Sequence, residues 1–367
     1  MSELILPVTT VPDPMTAPGL RWGVLGPGRI ASKFVGTMHA ATTSRLVAVC
    51  SRSEQRAAAF AADHEADGAR ARAYGSIEDF LADGEIDAVY VASPHAQHAA
   101  LALPIIEAGI PVVVEKAFTL NAPQAIKLFE AAQKSGSFVM EAMWSRFLPH
   151  YDVIRQVIDS GLIGEVTSVR ADHGQYFPFD AAHRLYDPAL GGGALLDLGV
   201  YPVSFAHWVA GALTDVSAVG SLTSTGVDDT VAMIGTGSTP SHPAVSVTTT
   251  LSARTANNAT VVGREGRIDV EQRFYVPTRV TVTRFSKARY GTDTTAVFDS
   301  ATDLPYALPE APEGQNYGMA FEIAEASRRI SAGDTESPLM RWQDTLEVLQ
   351  LLDEIRAQVG VVYPSER

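Results

Sequence analysis

The sequence predicts an α/β fold: a doubly wound parallel sheet, then a C-terminal α/β domain whose sheet is open and mostly antiparallel. Three observations carry this. The stretch from Arg21 to Ala31 runs from a short apolar strand, Trp22–Leu25, through Gly26-x-Gly28-x-x-Ala31 into a segment with Ile30, Phe34 and Met38 at helical spacing. Ile86–Ala92 and Val112–Val114 are almost wholly apolar, as strands buried on both faces of a parallel sheet are. Beyond about Pro149 the pattern changes to runs that alternate polar and apolar residues, such as Val245-Ser246-Val247-Thr248. A chain of 367 residues has room for two domains.

Composition narrows the function. A net charge of −14 argues against general affinity for nucleic acid or an anionic membrane. The single cysteine, Cys50, rules out an internal disulfide framework and suits a reducing, cytoplasmic setting. Residues 1–20 are rich in Pro and Thr and lack a basic leader, so they read as a flexible tail. No later run is expected to span a membrane.

Residues 21–147 form the first expected domain. In the strand–turn–helix opening, Gly26 permits the turn, Gly28 lets a backbone approach a pyrophosphate, and Ala31 lets helix and strand pack closely. The N–H groups of the helix start, around Arg29 and Ile30, would face the phosphates. This is the strand, turn and helix expected of a dinucleotide-binding Rossmann βαβ unit; a chance glycine turn in an α/β protein is the alternative. Leu46–Cys50 reads as the next strand. Where an NAD site has an acid at this strand end, the chain has Ser51 and Arg52, with Arg56 close behind. A hydroxyl and a guanidinium suit a 2′-phosphate, so NADP is expected over NAD; a solvated surface role for Arg52 is the alternative.

Ser93-Pro94-His95 ends the strand Ile86–Ala92, and residues 96–108 look helical with a kink expected at Pro104. His95 and His98 have no carboxylate or thiol to complete a metal set, so they line the cofactor cleft or cap the helix. Val112–Val114 ends at Glu115-Lys116. A lysine beyond the carboxyl end of a parallel strand is placed for chemistry, or else is half of a surface ion pair. A helix over 122–135 and a strand over 138–143 lead to Trp144-Ser145-Arg146-Phe147.

The second domain is expected over 148–363, with a helix at 151–160. Strands are expected at 165–173, 215–223, 229–236, 245–252, 259–270 and 275–284, and helices near 316–332 and 340–358; 285–313 reads as loop. Within it, Gly191-Gly192-Gly193 gives a flexible approach to a helix start. Asp197 and Tyr201 then stand four apart, on one helical face. They suit a proton-handling pair, or equally a helix cap and a packed phenol.

Five motifs in order make the chain resemble the Gfo/Idh/MocA oxidoreductases, and within them the diol and xylose dehydrogenase branch. They are Gly26-x-Gly28-x-x-Ala31, Ser93-Pro94-x-x-x-His98, Glu115-Lys116, Met140-Glu141-Ala142-x-Trp144-x-Arg146-Phe147, and Gly191-Gly192-Gly193-x-Leu195-Leu196-Asp197-x-Gly199-x-Tyr201. The resemblance implies hydride transfer between a nicotinamide, NADP or NAD, and a carbinol or carbonyl carbon of a sugar, sugar derivative or cyclic diol, without a metal. Lys116, Asp197 and Tyr201 would be catalytic, at a domain junction. Trp144, Arg146 and His183 would line the pocket. Open sheets packed face to face would give a homodimer or homotetramer. Two departures are Ala117, where the family has proline, which would loosen the turn holding Lys116, and His95, where many members have Asn. The rival readings are a non-catalytic NADP-binding redox sensor and a sugar oxidoreductase whose cofactor stays bound.

Overall fold

Six short parallel strands in the order β3-β2-β1-β4-β5-β6 make the first sheet. The computed structural model describes residues 4–66, 68–288, 291–312 and 316–366. The chain divides into two units, neither continuous in sequence. One comprises Pro12–Arg146 and Leu308–Leu346; the other comprises Met1–Val11, Phe147–Ala307 and Glu347–Arg367.

In the first unit, strands and helices alternate. They are β1 (Arg21–Leu25), α1 (Arg29–Ala41), β2 (Arg45–Cys50), α2 (Glu54–Asp63), β3 (Arg72–Tyr74), α3 (Ile77–Leu81), β4 (Ala88–Val91), α4 (His98–Glu107), β5 (Val112–Glu115), α5 (Ala122–Ser135) and β6 (Val139–Ala142). Every residue of β4 and β5 is buried, which is why β4 and Val112–Val114 of β5 read as unbroken apolar runs. Ser53, Ser76 and Asn121 cap α2, α3 and α5, each accepting a backbone N–H of the first turn. Phe34 of α1 stacks on Tyr90 of β4 at 3.8 Å and meets Trp22 of β1 edge-on. Met38 is buried with Phe34, but Ile30 is 38% exposed and stands off this core.

The second domain was expected to be continuous from 148 to 363. Instead the chain returns to the first unit over Leu308–Leu346. There α8 (Met319–Ala332) packs on α1, and Thr335 O accepts the N–H of Val139 at the edge strand β6. Apolar periodicity identified α8 but gives no hint of which sheet a helix covers.

The second unit holds α6 (Pro149–Asp159), β7 (Val166–Gly174), α7 (Val200–Ala210), β8 (Leu213–Leu222), β9 (Asp228–Gly237), β10 (Ala244–Thr250), β11 (Ala259–Gly263), β12 (Gly266–Val270), β13 (Arg279–Arg284) and β14 (Thr294–Asp299). Its eight strands lie in the order β14-β13-β12-β11-β7-β10-β9-β8. Only β7 and β10 pair in parallel; the other neighbours are antiparallel. Val245, Val247 and Thr249 of β10 point into the core beneath α7. The opposite face carries Val219, Ile234 and Val297, all at least half exposed. The helix α9 (Trp342–Val359) closes the chain.

Four sequence expectations need correction here. The run 259–270 is two strands, split where Arg264 and Glu265 turn, and β14 lies in the segment expected to be loop. The segment Pro188–Ala210 is long and apolar enough to cross a membrane, yet its most apolar 18-residue stretch is 89% buried inside the protein. The expected flexible tail is tied down from Thr9 onward. Thr9 Oγ1 and the Thr10 N–H both donate to Asp152 Oδ2, at 2.9 and 2.6 Å. Asp13 caps a short turn at Pro14–Thr16, and its carbonyl accepts from Arg328. Apart from the Asp13 cap these are bonds to residues more than 140 positions away, which composition does not reveal.

Candidate cofactor and active site

The loop between β1 and α1 has the form of a phosphate cradle. Gly26 adopts φ 93°, and a Cβ there would lie 3.0–3.1 Å from the backbone of Ala92 and Ser93. Only glycine fits that turn. Gly28 is the N-cap of α1, and a Cβ on it would meet nothing nearer than Gly26 O at 4.0 Å. It keeps the approach to the helix start open. No side chain caps α1, so the N–H groups of Arg29, Ile30 and Ala31 remain available to an anion. The residues present therefore fit a dinucleotide pyrophosphate. At the end of β2, Ser51 and Arg52 precede Ser53, whose Oγ accepts the Arg56 N–H. Arg52 and Arg56 are exposed and make no ion pair among the described residues, which fits a 2′-phosphate site and a solvated surface role alike.

Lys116 follows β5 in a turn held from both sides. His98 is fully buried, with Nδ1 2.9 Å from Ala117 O and Nε2 2.7 Å from Ser93 O. Burial lowers its pKa, and a neutral ring carries one N–H. That ring can donate to only one of these two carbonyls, so His98 makes one hydrogen bond here and packs against the other; the sequence reading had it lining the cofactor cleft or capping the helix. His95 is also buried and meets the His98 ring edge-on. Glu141 accepts the N–H of Phe118 at 3.1 Å and the hydroxyl of Thr345 at 3.0 Å. Burial pushes its carboxyl up to about 7. Ala117, where the family has proline, is fully buried between these contacts. Glu115 points inward: it accepts from the Tyr90 hydroxyl and from the Lys116 N–H.

Trp144 and Arg146, expected around the ligand, are both buried. Arg146 Nη2 pairs with Asp344 at 3.6 Å. Lys33 of α1, which sequence reading missed, stands 4.2 Å from the centre of the Trp144 ring, and burial lowers its pKa.

In the second unit, Asp197 and Tyr201 share one helical segment. Its first turn, Leu195–Gly199, is a wide π-turn that runs directly into α7. Asp197 is buried and pairs with Arg184 at 3.1 Å. Tyr201 lies in an aromatic group, 4.9 Å from the Tyr275 ring and 5.6 Å from His173; those two stack at 4.2 Å. The proline at 202 explains the histidine. Pro202 has no N–H to give Leu198 O, and His173 Nδ1 takes that carbonyl at 3.1 Å. This fixes the tautomer, leaving Nε2 to accept from the Gln175 amide at 2.9 Å. His183 is exposed beside Phe177, and its Nδ1 accepts the Leu185 N–H.

Sequence reading missed Arg184, His173, Gln175 and Tyr275. The period of β7 gives one usable signal: Val169, Ala171 and His173 share its covered face, so a histidine sits where a core residue is expected.

Fold and cradle together define a dinucleotide-binding oxidoreductase. Residues 20–143 match the oxidoreductase family with an NAD-binding Rossmann fold, and residues 151–269 match the GFO/IDH/MocA C-terminal domain. The chain belongs to the GFO/IDH/MocA family. It is 33% identical to a trans-1,2-dihydrobenzene-1,2-diol dehydrogenase of Xenopus laevis, over 94% of this chain and 99% of that protein. It is also 33% identical to a D-xylose 1-dehydrogenase (NADP(+)) of Hypocrea jecorina, over 94% and 93%. A 3-ketoreductase from Actinomadura kijaniata, solved with NADP and TDP-benzene, superposes with a TM-score of 0.76 at 26% identity, over 93% of this chain and 98% of that one.

Proposed function

We propose that this chain moves a hydride between NADP and a carbinol or carbonyl carbon of a sugar, sugar derivative or cyclic diol. The observation that carries the reading is the segment Leu195–Ala210. It presents a carboxylate, Asp197, paired with Arg184, and a phenol, Tyr201, steadied by two aromatic rings. When bound, the nicotinamide supplies or accepts the hydride. The backbone of Gly26, Gly28, Arg29 and Ile30 binds its pyrophosphate, and Ser51, Arg52 and Arg56 bind the 2′-phosphate that distinguishes NADP. Tyr201 takes the hydroxyl proton in oxidation and returns it in reduction. Lys116 polarises the substrate oxygen, and Asp197 orients the substrate. Relatives named for diol and xylose oxidation, and the solved ketoreductase with NADP, support the substrate class.

Assembly belongs to the same proposal. The open face of the eight-stranded sheet carries Val219 at 70% and Ile234 at 60% exposure, which favours a second copy packed against it. The lone, buried Cys50 supports a cytoplasmic setting.

The test is a screen of aldoses, inositols, anhydrosugars and cyclic diols with NADP and with NAD. Turnover of at least one substrate, faster with NADP, is expected. Tight NADP binding with no turnover across the screen would favour a redox sensor. Nucleotide that survives gel filtration on the purified protein would favour a permanently held cofactor.

A further inference from the structure

The segment bearing Asp197 and Tyr201 is entered through Gly191-Gly192-Gly193, and these glycines allow close contact rather than slack. Gly193 has φ 117°, and a Cβ on it would overlap the Asp228 carboxylate. A Cβ on Gly192 would lie 2.6 Å from Leu185 O. Asp228 is wholly buried, and its Oδ2 accepts the Leu195 N–H at 2.6 Å. Tyr363, 1% exposed and 171 residues further along, donates its hydroxyl to Gly192 O at 2.7 Å. The Arg356 guanidinium covers the Tyr363 ring at 4.8 Å. Arg356 in turn is gripped by Glu366 at 2.9 and 3.0 Å and by Asp353 at 2.6 Å. Glu366 also accepts the Tyr363 N–H at 3.0 Å.

We infer that Tyr363, locked by Arg356 and Glu366, and Asp228 are positioning residues that fix where Asp197 and Tyr201 stand. The inference rests on the reading that those two residues handle the substrate proton. Both fastenings fall on main-chain atoms within five residues before Asp197, at Gly192 O and Leu195 N. A displacement there is carried along the helix to both side chains. Misplacing a reacting group by about an ångström costs on the order of 10²-fold in rate. The end of the chain therefore acts on the reaction through the bend it holds.

Tyr363→Phe keeps the ring and removes one hydrogen bond. It should lower kcat about 5- to 10-fold and displace the pH profile of kcat, with NADPH affinity by fluorescence titration unchanged. Asp228→Ala should cost on the order of 10- to 100-fold, and Asp228→Asn, whose amide oxygen can still accept the Leu195 N–H, should restore most of it. Tyr201→Phe is measured alongside. If Tyr201→Phe is impaired while Tyr363→Phe and Asp228→Ala keep wild-type kcat and pH profile, the fastenings serve stability alone and the inference is overturned. If Tyr201→Phe turns over like wild type, the proton-handling reading itself fails and takes this inference with it. Should Asp228→Ala not fold, Tyr363→Phe decides between these outcomes.

Discussion

His173 exists in its present role because Pro202 cannot donate a hydrogen bond. The carbonyl that the proline leaves open orients the imidazole, and the imidazole and Tyr275 together flank Tyr201. Removing the phenol hydroxyl by Tyr201→Phe, or the ammonium by Lys116→Ala, should lower kcat by ~10²–10⁴-fold while NADPH titration changes little. If the two act as a unit, the double variant will be scarcely slower than the slower single variant. On the nucleotide side, Arg52→Ala should raise KM for NADP by roughly 10- to 150-fold and leave that for NAD nearly unchanged, the loss of one charge-assisted contact of ~1.5–3 kcal/mol. A wild-type enzyme that prefers NAD would remove the basis for that assignment. Residues of the motifs were legible in the sequence because glycine turns and strand ends leave marks in local spacing. Arg184 and Tyr275 were not, since each reaches its partner from another segment of the chain and no local period records it; Gln175 lies just past the end of β7, two residues from His173, where the strand's alternation stops.

At the scale of elements, the turn after β5 is packed by a buried histidine and a buried acid. His98 and Glu141 hold it on either side of Ala117. Glu141 sets a pH dependence whose sign follows from its shift. Its carboxyl titrates near 4.5 in the unfolded chain and at about 7 in the fold, so the fold favours the protonated acid. That contribution is complete below pH 4.5 and is lost as the pH rises through 7. It amounts to about 3 kcal/mol at most. Glu141→Gln keeps a carbonyl for the Phe118 N–H and an amide for Thr345, so it should flatten the fall in melting temperature between pH 5 and pH 8; an unchanged slope would place that dependence elsewhere. Elements with both ends marked were readable in advance. α5 is bounded by the Asn121 cap and by Gly136 in the left-handed region, and its limits match the expected ones. β14 was not readable. It is an edge strand with one buried residue, Phe298, and so carries almost no apolar alternation.

For the whole molecule, the expected assembly follows from the uncovered sheet face. Light scattering at micromolar concentration should give a mass of two or more chains, and Ile234→Lys, placing a charge amid the exposed apolar residues of β8 and β9, should shift the protein toward one. A wild-type protein that runs as a single chain of 39.1 kDa would refute this. The route of the chain has a different consequence. It passes from one unit to the other after Val11, after Arg146, after Ala307 and after Leu346. The nucleotide-binding half is therefore not a cassette that can be cut out at a single joint. A gene fragment ending at Arg146 would leave α1 without α8 and the edge of β6 without the carbonyl of Thr335. Recombination between relatives at the junction near residue 147 would give each hybrid a nucleotide-binding half from one parent and its covering helix from the other. Changes on the two surfaces are then tolerated only in step, and the cofactor half and the substrate half are inherited as one piece.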